Sequence, residues 1–292
     1  MSLTNLIKNS MKYPLTDKKK LLTLGIIVTI TSIISTIINY IILSTAYHIN
    51  YEELAASTNI TTVQELTNII QTQIPTNTWI IIGILTLIYF IISIYIFGYQ
   101  LNVMKNATEE NYIIPEFNKP IEKLINGLKG IIVYIVYLII PTIIISTASI
   151  IGGTIGTILI VIGSILLIYA SLISLMAIVH MAANNNKINY AFQFKEINKI
   201  IKDISWIRYI GTIIILALIF LIISLAAELI ISIISSGIAV LTHQFIIAII
   251  IQTIIISLII EPYIELFLNY GVGSLYNETI SKQYDVDEEY LI

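Results

Sequence analysis

Six long apolar blocks constrain this chain more than any other feature. They cover about residues 21–45, 79–99, 130–148, 154–179, 207–229 and 245–268. A helix needs about 20 consecutive apolar residues to cross the hydrocarbon of a bilayer, and each block approaches or exceeds that length. A membrane β-barrel would alternate polar and apolar residues over segments of about 10; the unbroken Ile/Leu runs do not. Charged residues make up 11% of the 292-residue chain, against roughly 25% in a soluble domain that must coat its surface. The expected fold class is an all-α, polytopic membrane helix bundle with six transmembrane helices, forming one domain over residues 1–292. The stretch LIISIISSGIAVL, residues 229–241, either extends the fifth span or forms a separate interfacial helix.

Charge sets the direction of threading. Lysine and arginine accumulate in cytoplasmic loops and orient the spans. With the N-terminus inside and six crossings, Lys8, Lys12, Lys18, Lys19 and Lys20 are cytoplasmic, as are Lys105, Lys119, Lys123 and Lys129. Lys187, Lys195, Lys199, Lys202, Arg208 and Lys282 follow, completing the 15 basic residues on one side. Both termini are thus expected in the cytoplasm, in a cell (plasma) membrane. The first apolar block is too long for a signal-peptide core and precedes no small-residue cleavage site, so it is expected to stay as the first span. In the first outer loop, Thr62 and Glu65 match a capping box. Val63, Leu66, Ile70 and Ile74 form an apolar stripe behind it, and Asn59-Ile60-Thr61 spells a glycosylation sequon.

A threefold pattern is superimposed on the spans, with approximate units 1–108, 109–186 and 187–292. Each begins with a short amphipathic elbow and continues as a two-span hairpin. The stripes are Leu3, Leu6, Ile7 and Met11; Ile121, Leu124, Ile125 and Leu128; and Ile197, Ile200, Ile201 and Ile204. The last two have the i, i+3, i+4, i+7 spacing of one helical face, and Pro120 suits a first helical turn. Lys8, Lys12, Lys119, Lys123, Lys195, Lys199 and Lys202 flank these stripes. Such helices are expected at the interface, with ammonium groups near anionic head groups; whether their apolar stripes rest on lipid or brace the spans of the bundle stays open. Membrane lipids are therefore the expected partners. A companion protein or a second copy of the chain is a further candidate, and a net charge of −3 gives no reason to expect nucleic acid.

The segments YPLTDKKKLLTLG (Tyr13–Gly25), GYQLNVMKN (Gly98–Asn106) and IPEFNKPIEKLINGLKGIIVYIVYLIIP (Ile114–Pro141) resemble a prokaryotic family of integral membrane proteins of unknown function, frequent in methane-producing archaea. The resemblance implies location and architecture. It implies no reaction and no catalytic residues.

The last block, IISLIIEPYIELFLNY, carries Glu261, Pro262 and Glu265. Glu261 and Glu265 share a helix face, and Thr253, Ser257 and Asn269 extend the polar row. An ionised carboxylate at the bilayer centre costs at least about 2.5–3.5 kcal/mol on insertion scales, so such groups usually face the bundle interior, protonated or paired. Two readings stay open: structural pairing with Arg208 or Lys129, or a proton or cation path. A path needs a second polar lining; Glu228, His180 and His243 are available but are expected near the interfaces. Pro262 cannot donate to the carbonyl of Leu258, and Pro141 leaves that of Tyr137 without its amide, so both are expected helix kinks. Tyr134, Tyr137, Trp79, Trp206 and Tyr209 near the span ends suit an aromatic belt.

No H-E-x-x-H, G-x-S-x-G or P-loop motif is present. With no cysteine and three histidines, neither a metal site nor a cofactor is expected. The acidic end, residues 281–292, reads as a solvated cytoplasmic tail. The expectation is a non-enzymatic protein with a structural, lipid-interacting or partner-binding role. The alternative is a secondary transporter or proton- or cation-coupled permease using Glu261 and Glu265.

Overall fold

The computed structural model describes residues 2–47, 75–242 and 245–289. The amphipathic stretch and sequon expected in the first outer loop, and His243, lie outside them. The described chain is helical throughout its spans: α1 (Leu3–Lys12), α2 (Lys18–Tyr47), α3 (Thr76–Thr108), α4 (Pro120–Ile151), α5 (Gly153–Ala183), α6 (Phe194–Ile204), α7 (Trp206–Thr242), α8 (Phe245–Ile255) and α9 (Glu261–Glu289). A π turn over Ile256–Ile260 joins α8 to α9, so the two form one span. Six helical stretches are long and apolar enough to cross a membrane. Residues 229–241 extend the fifth of them without a break.

Local signals explain the boundaries. The Ser2 hydroxyl accepts from the Asn5 amide and starts α1, while Asp17 Oδ1 accepts from the amides of Lys19 and Lys20 at 3.0 and 3.1 Å to cap α2. Between α4 and α5 the chain reverses at Gly152 and Gly153, whose φ angles are +64° and +58°. A side chain would strain both positions. Helix α4 runs through Pro141, whose ring is buried.

Packing is strongly asymmetric along the bundle axis. Buried side chains concentrate toward the end that carries the lysines: Leu24 on α2, Tyr99 and Leu101 on α3, Met176 to Ala182 on α5, and Phe267 and Leu275 on α9. Toward the opposite end the helices present exposed apolar residues such as Ile80, Ile84, Ile158 and Ile233, a surface suited to lipid. The elbows account for the difference. On α6, Ile197, Ile200, Ile201 and Ile204 are all buried in the protein core, and Leu6 and Ser10 of α1 are buried against the bundle. Of the two settings open to these stripes, lipid or the bundle, the bundle takes those of α1 and α6, because it offers them a close-packed apolar surface. Lys8, Lys12, Lys195, Lys199 and Lys202 remain exposed on the outer faces.

The second elbow differs. It is not a separate helix but the first turns of α4, and its stripe is turned outward, with Ile121, Ile125 and Leu128 exposed. Lys123 is buried instead, its ammonium donating to the carbonyl of Asn118. It is therefore not a head-group contact. Lys119 pairs with Glu122 at 3.5 Å. The cause is a close crossing of α3 and α4. A Cβ on Gly98 would collide with the Lys123 carbonyl, and one on Gly127 with the carbonyl of Ile94. Small residues let membrane helices approach to backbone contact, and this contact turns the Lys123–Gly127 face inward.

Several tyrosines are core residues rather than a belt. Tyr209 is fully buried and donates to the Leu172 carbonyl at 2.7 Å, and Tyr137 donates to that of Ala191 at 2.7 Å. Gly98→Ala should destabilise the bundle by about 1–3 kcal/mol through overpacking. Gly83→Ala, where nothing lies within 4 Å of the added Cβ, should be neutral or stabilising by about 0.5–1 kcal/mol. Thermal unfolding of the two variants in detergent distinguishes them.

Candidate functional site

Proline shapes the site before any charge does. Pro262 has no amide to give and its ring crowds the carbonyl one turn earlier, so the helix widens into the π turn, where the Glu261 amide bonds back to Ile256. The Leu258 carbonyl that would have met Pro262 instead faces Gly25 of α2, where a Cβ would collide with it. Beside this contact the Ser257 hydroxyl meets Thr29 Oγ1 at 3.1 Å and donates to the Thr253 carbonyl at 2.7 Å. The last span is thus drawn onto α2, and the face bearing Glu261 and Glu265 is turned inward.

Two cavities meet at these carboxylates. One, of about 490 Å³, lies between α2, α3 and α9 and is lined by the hydroxyls of Thr31, Ser32, Ser35, Thr36 and Ser93 together with Gln100, Glu261 and Glu265. The other, of about 520 Å³, faces α7 and is lined by Ser224, Glu228 and Asn269 with the same Gln100, Glu261 and Glu265. Ser32 Oγ donates to Glu261 Oε2 at 3.5 Å, and the Gln100 amide lies against the Glu265 carboxylate. Glu265 Oε2 is buried and has no hydrogen-bond partner.

Among the described residues neither Glu261 nor Glu265 forms an ion pair. Lys129, one suggested partner, donates to Asn126 Oδ1 at 3.3 Å and to the Asn186 carbonyl at 3.1 Å. His180, expected at an interface, is buried, with Nδ1 2.8 Å from the Tyr276 hydroxyl and Nε2 3.3 Å from Gln193 Oε1. It belongs to the packed end of the bundle, away from both cavities. Glu228 does line the second one. The α2 hydroxyls and Gln100 join the site only in the structure. Their signal is the i, i+1, i+4, i+5 spacing of Thr31, Ser32, Ser35 and Thr36, which puts four hydroxyls on one face.

An aromatic plug packs at the lysine-bearing end, where Tyr13, Tyr99 and Tyr270 are buried together. Tyr13 stacks on Tyr270 with centroids 4.0 Å apart, and Tyr99 stacks on Phe117 at 4.5 Å. The connector after α3 is tied down around them. Lys20 pairs with Glu116 at 2.6 Å, Tyr99 donates to the Pro115 carbonyl at 3.1 Å, and Asn106 donates to that of Ile113 at 2.6 Å. Leu266 and Phe267 are buried just below Glu265.

The sequence profile of a family described as "Protein of unknown function (DUF4013)" matches residues 81–260. The chain belongs to the DUF4013 family. No curated protein and no solved structure matches it. The DUF4013 match takes in most of α3, then α4 to α8 and the π turn, and with them Gln100 and Glu228, and ends one residue before Glu261.

A buried carboxylate oxygen without a hydrogen-bond partner weakens a fold. Glu265→Gln should leave stability unchanged or raise it by about 1–3 kcal/mol in a detergent melt. A structural ion pair would instead require a loss of about 3–5 kcal/mol.

Proposed function

We propose that this multi-pass membrane protein is a carrier for monovalent cations in a prokaryotic cell membrane, threaded with both termini in the cytoplasm. It acts without enzymatic chemistry. The observation that carries the reading is the Glu265 carboxylate, which lines both cavities with one oxygen buried and unpartnered. A purely structural role gives no reason to keep such a group, because an intramembrane carboxylate is costly and is retained where it works. A cation arriving from the hydroxyl-lined chamber supplies the missing partner, and the carboxylate releases a proton in exchange.

The asymmetric packing supports a direction. The chamber lies away from the plugged, lysine-bearing end, and basic residues mark the cytoplasmic side, so the described conformation is closed toward the cytoplasm. Transport requires the Tyr13–Tyr270 plug to open in a second conformation. The exposed lysines Lys8, Lys12, Lys195, Lys199 and Lys202, with Lys119, ring that end and hold it against anionic head groups.

Proteoliposomes containing a pH-sensitive dye test the reading. An inward gradient of Na⁺, K⁺ or tetramethylammonium, each in turn, should raise the internal pH faster than in protein-free vesicles for at least one cation. Glu265→Gln should reduce that rate to the protein-free level. Rates equal to protein-free vesicles for all three cations would refute it.

A further inference from the structure

The polar chamber borders an apolar groove at Thr36. Thr36 lines the chamber on one side and, on the other, a cavity of about 540 Å³ between α2 and α8. That groove is walled by Ile33, Ile37 and Tyr40 of α2 and by Ile249, Ile250 and Ile254 of α8. From Ile33 to Tyr40 it follows α2 for about 10 Å, at 1.5 Å per residue. Carboxylates at one end and hydrocarbon at the other are complementary to one kind of molecule. We infer that the site takes a cationic amphiphile, an ammonium head bearing a single hydrocarbon tail, with the head at Glu261 and Glu265 and the tail in the α2–α8 groove.

Charge selects the head. Glu261 and Glu265 have no cationic partner among the described residues, and the nearest groups in the chamber are neutral hydroxyls and amides, which can solvate an ammonium but not replace it. A phospholipid is disfavoured, because its phosphate would bring a negative charge toward two carboxylates. The groove contributes differently. In a bilayer a tail is already in an apolar medium, so its gain there comes from close packing rather than from leaving water. Its effect should therefore be a selectivity for tail length and shape.

This inference rests on the cation reading above, and its test separates the two. Calorimetric titration of the full chain in phosphatidylcholine nanodiscs, corrected with protein-free nanodiscs, compares tetramethylammonium with decyltrimethylammonium. The decyl compound should bind at least tenfold more tightly. Ile250→Trp, which fills the groove, should remove that advantage and leave tetramethylammonium binding unchanged, whereas Glu265→Gln should weaken both. Circular dichroism of each variant establishes that it is folded, and Ile250→Ala serves as a second groove variant should the tryptophan form unfold. It should lower the decyl advantage about threefold. Equal binding of the two ammonium ions, or a decyl advantage untouched by both groove variants, would overturn the amphiphile proposal while leaving the cation site standing. Absence of binding by either ion would overturn the amphiphile proposal, and the Na⁺ and K⁺ flux measurements would then decide the cation reading on their own.

Discussion

The site depends on a backbone carbonyl that has lost its partner. In hydrocarbon every peptide group must be satisfied within the protein, and Pro262 removes the donor that Leu258 would have had. The chain answers with a π turn and with Gly25, the residue without a side chain, set directly against the freed oxygen. A Cα–H contact to a carbonyl is individually weak, about 0.5–1 kcal/mol. Its consequence is geometric. It fixes the last span against α2 at the one depth where the α2 hydroxyls face Glu261 and Glu265.

A second constraint is the unequal filling of the two ends. Between the spans at the lysine-bearing end sit α1, α6 and the Ile114–Phe117 connector, and with them most of the buried apolar side chains. No comparable insert occupies the other end among the described residues, and the cavities form there. The elbows are therefore part of what makes the chamber one-ended. Gly98, Gly127 and Gly273, each against a neighbouring backbone, tighten α3 against α4 and α9 and keep the plug closed beneath Gln100.

What could be read from the sequence follows from which forces are local. Spans are legible because hydrocarbon imposes a length and a composition on consecutive residues, and Pro262, Glu261 and Glu265 stand out against that background. The elbow stripes are equally visible, but not what they pack on: Ile197 and Ile201 would be apolar in either setting. Lys123 reads as exposed in the sequence because its burial is decided by Gly98, on another helix. Gln100 and the hydroxyls at 31, 32, 35 and 36 are inconspicuous in the sequence for a related reason. Serine and threonine can bond the carbonyl four residues back, as Thr31 and Thr36 do here, so they pass unremarked in a span until a partner helix gives them a cavity to line. Threading and packing distance are long-range properties, and one chain's residue order records them only faintly.

In the proposed carrier, hydroxyls of α2 and carboxylates of α9 line a chamber that water enters and that concentrates cations. The sequence contains no cysteine, so a single introduced thiol is an unambiguous reporter. Ser35→Cys, exposed to paired cationic and anionic methanethiosulfonates in proteoliposomes, should react at least tenfold faster with the cation, as a site lined by one sign of charge concentrates the opposite ion. That preference should vanish when Glu261→Gln and Glu265→Gln are added. A thiol at Ser35 that reacts with neither reagent, or equally with both, would contradict the account.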